Sequence, residues 1–155
     1  MNALPTVELG TSRSTRRELT GPPSARGASR VGAVCWITLG LGFGLPCLYG
    51  IWHLARFGEI AMFLGYPTYG RGPFETAGVA TTVPLLAGFA GVCAGQVVAG
   101  CLLWGQRRAG TVLALGLLPF AVAYWAGFDL PYAWPIGIAG TLAAVLATRG
   151  NEVVR

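Results

Sequence analysis

"VPLLAGFAGVCAGQVVAGCLLWGQRRAGTVLALGLLPFAVAYWAGF", residues 83–128, holds two long apolar runs and only two charges, the adjacent Arg107 and Arg108. A helix rises about 1.5 Å per residue, so about 20 apolar residues cross a hydrocarbon core of about 30 Å. Val83–Gly105 and Ala109–Phe128 meet that length on either side of the arginine pair. A connection as short as "QRR" forces the two helices to run antiparallel. The stretch reads as a membrane hairpin with a basic turn.

Two further apolar runs flank it. Ala33–Ala55 is ample for a crossing, whereas Tyr132–Thr148 is short and carries Pro131 and Pro135 at its start. That last run either spans with local thinning of the bilayer or enters and returns on the same side. The expected fold is all-α, an antiparallel bundle of four transmembrane helices at approximately 33–55, 83–105, 109–128 and 132–148. Composition agrees: 54% of the 155 residues are hydrophobic and 11% charged, with a mean hydropathy of +0.58. A soluble domain carries about 25% charged residues. This chain cannot cover a globular surface with polar groups.

Arginine placement sets the expected orientation. Arg13, Arg16, Arg17, Arg26 and Arg30 precede the first run, Arg107 and Arg108 separate the second and third, and Arg149 and Arg155 follow the fourth. Only Arg56 and Arg71 fall on the other side. Nine against two is a strong positive-inside bias, which puts both termini in the cytoplasm. The net charge of +5 is thereby explained by topology, and no nucleic-acid partner is expected. All eleven basic residues are arginine. With the Ala, Gly and Val content, that points to a GC-rich bacterial genome, hence a multi-pass protein of the bacterial plasma membrane.

Residues 1–30 are rich in Ser, Thr, Pro, Gly and Arg and poor in large apolar residues. Such a segment buries too little surface to offset the entropy of ordering, so a disordered basic cytoplasmic tail is expected. Its five arginines against Glu8 and Glu18 would also attract anionic headgroups. The basic lead and the apolar run are both too long for a cleaved signal peptide. The transmembrane domain is expected over 31–149, with a long outer loop at 56–82, followed by a short tail at 150–155.

Helices associate in lipid through small residues and a few polar contacts. Ala87, Gly91, Gly95 and Ala99 recur every four residues beside Gln96, an expected packing stripe with an interhelical hydrogen bond. Ala139, Ala143 and Ala147 repeat the pattern, and homodimerisation is the alternative use of such stripes. Pro46, after Gly40, Gly42 and Gly44, and Pro119 are expected to bend their helices. Thr81 or Thr82 before Pro84 reads as a helix start. Tyr124, Trp125, Tyr132 and Trp134 fall where an outer aromatic belt belongs, and Trp104 marks an inner one.

Candidate chemistry is sparse. Cys35, Cys47, Cys93 and Cys101 form no C-x-x-C pair, and one histidine supplies no zinc pattern. If the first two helices are antiparallel, Cys47 with Cys93 and Cys35 with Cys101 fall at similar depths. Cys35 and Cys47, however, lie about 120° apart around a helix, so one face cannot present both pairs. Small thiols filling helix interfaces are the simpler reading; a redox pair is the other. His53, Arg56, Glu59, Arg71, Glu75 and Asp129 gather on the outer side as a candidate ligand or partner site. "FLGYPTYGRGPFE", residues 63–75, has prolines and glycines that fix turns, and "GEIAMFLG" before it resembles a short interfacial helix. The loop is either an ordered structural cap or part of a binding site. No charged residue falls mid-span, where ion pumps and proton-coupled transporters place theirs. No catalytic residues, metal ligands or cofactors are expected.

The outer "FLGYP" and the run "GQVVAGCLLWGQRRAGTVLAL", residues 95–115, resemble the DoxX-like family of small four-helix membrane proteins over roughly residues 40–127. That resemblance implies a second helix with glycine and an acid, a short basic turn and an Ala/Leu-rich third helix. Gln96 stands where the family pattern implies glutamate. Some relatives belong to membrane redox systems, including a thiosulfate:quinone oxidoreductase subunit; an unrelated bacterial family of similar layout would share these features. The expected function is a non-enzymatic accessory or interaction subunit, with a quinone-linked or thiol redox component and a small-solute permease as alternatives. Its expected partners are the lipid bilayer and either another membrane subunit or a second copy of the chain. Alkaline phosphatase fused after Arg71 is predicted to be active and fused after Arg108 inactive; the reverse pattern would invert the topology.

Overall fold

The computed structural model describes residues 23–63, 66–70 and 72–152. The expected tail up to residue 22, with Arg13, Arg16 and Arg17, lies outside the described residues, as do Arg71 and Arg155. The elements in chain order are α1 (Pro23–Phe57), strands β1 (Met62–Phe63) and β2 (Tyr66–Pro67), a one-turn helix α2 (Pro73–Thr76), α3 (Val83–Trp104), α4 (Arg108–Gly127) and α5 (Ala133–Glu152). The fold is helical apart from the tiny antiparallel pair, which sets Phe63 opposite Tyr66. α1, α3 and α4 are long and apolar enough to cross a membrane, while the apolar part of α5, Ala133–Arg149, is shorter. Val112, Leu45 and Leu146 point outward and are more than half exposed. An apolar exterior on apolar helices marks a membrane protein.

α1 packs along both α3 and α5, α3 packs on α4, and α4 meets α5. α1 and α3 run antiparallel. The Ser29 hydroxyl near the start of α1 donates to the Leu103 carbonyl near the end of α3 at 2.6 Å. At the other end, the Cys47 thiol donates to the Leu86 carbonyl at 3.2 Å. Between these points the backbones nearly touch. A Cβ at Gly40 would lie 2.5 Å from the Cys93 carbonyl oxygen, and one at Gly100 would lie 2.9 Å from that of Ala33. On the opposite flank of α1, a Cβ at Gly32 would sit 3.2 Å from the Gly140 carbonyl of α5.

The expected packing stripe is therefore only half used. Gly95 faces Leu117 of α4 and Ala99 is fully buried, but Ala87 and Gly91 are exposed, with open space beside Gly91. A repeat of four residues gains about 40° per step on a helix of 3.6 residues per turn, so the stripe winds off the contact face within three steps. Ala139 is exposed for the same reason, while Ala143 and Ala147 are buried beside Gly140 and Ala144. Gln96 is buried, yet its Nε2 has no hydrogen-bond partner, contrary to the interhelical bond expected of it.

Three features differ from expectation. α1 starts at Pro23 rather than near 33, because Ala25 and Ser29 are small and buried in the bundle end, leaving Arg26 and Arg30 toward the outside. The Arg30 guanidinium lies 5.8 Å from the Trp104 ring centroid, a cation–π contact. Thr82 occupies the cap position of α3, with proline in the first turn, but its side chain makes no capping bond. Trp125 belongs to the core rather than to a belt; its indole lies across Gly137, where any Cβ would collide. Tyr132, Trp134 and Trp104 are exposed.

Two glycines of α1 separate packing from propensity. Gly40→Ala is predicted to cost about 1–3 kcal/mol because backbone must move. Gly42→Ala, with nothing within 4 Å of the new methyl, is predicted to be neutral or to stabilise by up to about 1 kcal/mol. Denaturant unfolding in detergent reads both, and an equal effect would refute the close contact.

Candidate functional site

α1 ends where Gly58 turns into the left-handed region at φ 72, its N–H bonded to the Leu54 carbonyl at 2.9 Å. The expected interfacial helix does not form there. Instead, the Thr68 N–H and hydroxyl both donate to the Ala61 carbonyl, at 2.9 and 2.8 Å, closing the β1–β2 hairpin. Gly58 stops the helix and these two bonds hold the chain extended.

The chain then drives Tyr69 into the end of the bundle. Its side chain is 2% exposed and its hydroxyl donates to the Phe43 carbonyl at 2.6 Å. Pro46 has no N–H to offer Gly42, so the helical ladder of α1 is interrupted one residue from that carbonyl. The tyrosine bonds the neighbouring carbonyl, that of Phe43, whose second lone pair accepts it. Its ring meets Phe89 and Phe128 edge-on, with centroids 5.6 and 5.3 Å away. Phe74 of α2 meets Phe128 edge-on at 5.3 Å and covers Gly127, where a Cβ would collide with the ring. The Thr81 hydroxyl is shared between the Tyr69 carbonyl at 2.9 Å and Glu75 Oε1 at 3.1 Å. Two threonines and two aromatic rings make this loop a plug.

Burial pushes the Tyr69 phenol well above its ordinary range, and the neighbouring Cys47 and Cys93 thiols add to the shift. The phenol is thus held neutral, as a donor to Phe43.

Of the six expected outer residues five are described, and among them no hydrogen bond or ion pair joins the side chains of His53, Arg56, Glu59 and Asp129. His53 Nδ1 lies 3.0 Å from the Glu59 backbone carbonyl, not from its carboxylate, and its ring packs on Phe57 at 4.9 Å. Arg56 and Glu59 are exposed at the end of α1. Glu75 sits half-buried in the plug beside Thr81. Asp129 is exposed at φ 53 in the turn between α4 and α5. Arg71 lies outside the described residues. The residues that organise this end are Tyr69, Phe74, Phe89, Tyr124 and Phe128, of which only Tyr124 carries an expectation, as an aromatic belt residue. The available signal was a tyrosine and a phenylalanine between paired glycines and prolines.

All four cysteines are free. The Cys47 thiol hydrogen goes to the Leu86 carbonyl, while Cys93 faces Gly44, three residues from Cys47 along α1, so the two thiols sit about one helical turn apart, about 5 Å along the axis. Cys35 turns toward Gly140 of α5 and Cys101 is exposed. Among the described residues no three His, Cys, Asp or Glu side chains are grouped as metal ligands. No family model, curated protein or solved structure matches this chain.

Removing the buried hydroxyl with Tyr69→Phe is predicted to cost about 1 kcal/mol at neutral pH. A phenol whose folded pKa is raised stabilises fully below the unfolded value of about 10 and loses that contribution as pH rises above it. The wild type should therefore lose stability above about pH 10 faster than Tyr69→Phe; parallel pH profiles would contradict a neutral, buried Tyr69.

Proposed function

We propose that the chain is a non-enzymatic accessory or interaction subunit of the bacterial plasma membrane, crossing four times with both termini inside. The observation that carries this reading is the filled outer end. Tyr69, Phe74, Phe89 and Phe128 occupy the space between α1, α3 and α4 where a solute would have to enter. A plug of packed rings suits a protein that presents a fixed surface to its neighbours. It suits a permease poorly. In this reading α5 spans by thinning the bilayer locally, and the partner is a second membrane subunit or another copy of the chain.

A quinone-linked or thiol redox component is the second reading, supported by the DoxX-like resemblance and by the shared burial of Cys47 and Cys93 in one cluster with Tyr69. Both thiols are free and that of Cys47 is given to the Leu86 carbonyl, which weighs against direct pairing. Native mass spectrometry of protein gently extracted from its own membranes distinguishes the readings. A stoichiometric protein partner is the expected result; a retained quinone with no partner would replace the first reading by the second.

A further inference from the structure

We propose that the bundle end carrying the start of α1 and the end of α5 binds a phosphate group, one oxygen of which enters a notch between α1, α3, α4 and α5. Ala25, Ser29, Leu103, Thr111, Ala147 and Thr148 line this notch, with Arg107 and Arg108 also at its wall. Its volume is about 20 Å³, room for one water-sized group. It is a seat for a single oxygen.

The polar groups inside it are unequally occupied. Ser29 donates its hydroxyl hydrogen to Leu103 and Thr148 donates to Val145, at 2.6 and 2.7 Å. Thr111 is 6% exposed, yet its hydroxyl makes no hydrogen bond to any described residue. The side chain is buried but its oxygen is not one of the enclosed polar atoms that lack a partner, so the hydroxyl opens to the notch and is free to bond a group seated there.

Charge says which acceptor. Thr111 lies in the first turn of α4, whose cap residue Arg107 supplies no side-chain bond to the helix end. The Gly110 N–H is already bonded to the Arg107 carbonyl at 2.9 Å, which leaves the N–H groups of Arg108 and Ala109 without intrahelical acceptors, and the helix dipole favours an anion. Arg107 and Arg108 are exposed beside them, and Arg26, Arg30 and Arg149 lie on the same end. The acidic residues whose side chains are described, Glu59, Glu75 and Asp129, lie at the opposite end. A water would fill the notch but leave the two guanidinium groups and the helix end unmatched. A phosphate sends one oxygen to Thr111 and turns the others toward the arginines. A lipid headgroup and free inorganic phosphate offer the same chemistry.

The test uses the full chain in nonionic detergent, with lipid retention read by native mass spectrometry against added phosphatidylglycerol. Thr111→Val removes only the hydroxyl, and the double variant Arg107→Gln with Arg108→Gln removes only surface charge. Retention is expected to fall about tenfold in each, with helix content by circular dichroism unchanged. Displacement of the lipid by millimolar inorganic phosphate identifies the free ion as sufficient, and persistence of the lipid identifies the headgroup as the source. Equal retention by wild type and the double variant overturns the proposal, even if Thr111→Val fails to fold.

Discussion

The distance between the α1 backbone and its neighbours governs this structure. Apolar side chains gain nothing by leaving lipid for one another, so helices in a bilayer are held by close van der Waals contact and by the few polar bonds available. Gly40 and Gly100 let α1 and α3 approach until carbonyl oxygens sit where side chains would be, and Gly32 does the same toward α5. Such closeness lets one set of large rings fill the interior. Trp36 stands among Ala33, Ala99, Ala114 and Ala144, and Trp125 among Leu39, Ala121 and Ala133. Small residues line the walls and indoles fill the room between them.

Much of the fold was legible because it follows from length and hydropathy alone. α3 begins and ends within a residue of its expected limits, and α4 likewise, since proline and the arginine turn mark their ends. The start of α1 was not legible. "PSARGASR" reads as solvated chain until Ser29 is known to bond Leu103, a contact between residues far apart in sequence. Rotation was the other hidden quantity. Small-residue spacing announced that helices pack but not which face meets which, so Gly91 was misplaced and Gly40 given only a role before a kink. In the loop between α1 and α3, turn chemistry was visible in the glycines and prolines, whereas the inward course of Tyr69 depends on a bond to Phe43, far away in sequence.

The interior keeps an imbalance of its own. Among the described residues, Trp36 Nε1, Gln96 Nε2 and Trp125 Nε1 are buried donors without acceptors. Unmet donors in an apolar interior cost free energy. At Trp36 and Trp125 the packing area of the indole against the neighbouring helices offsets part of that cost; the Gln96 amide has no such compensation.

The length of α1 has a mechanical meaning. At 35 residues it extends about 52 Å, against about 30 Å of hydrocarbon. More than two turns must project past the bilayer or be taken up by tilt, and those turns are clamped to α3 through Ser29. Whatever is attached ahead of Pro23 is therefore mounted on a stiff rod instead of a tether. A pull or twist applied there would be delivered to the bundle as a lever delivers torque to its fulcrum.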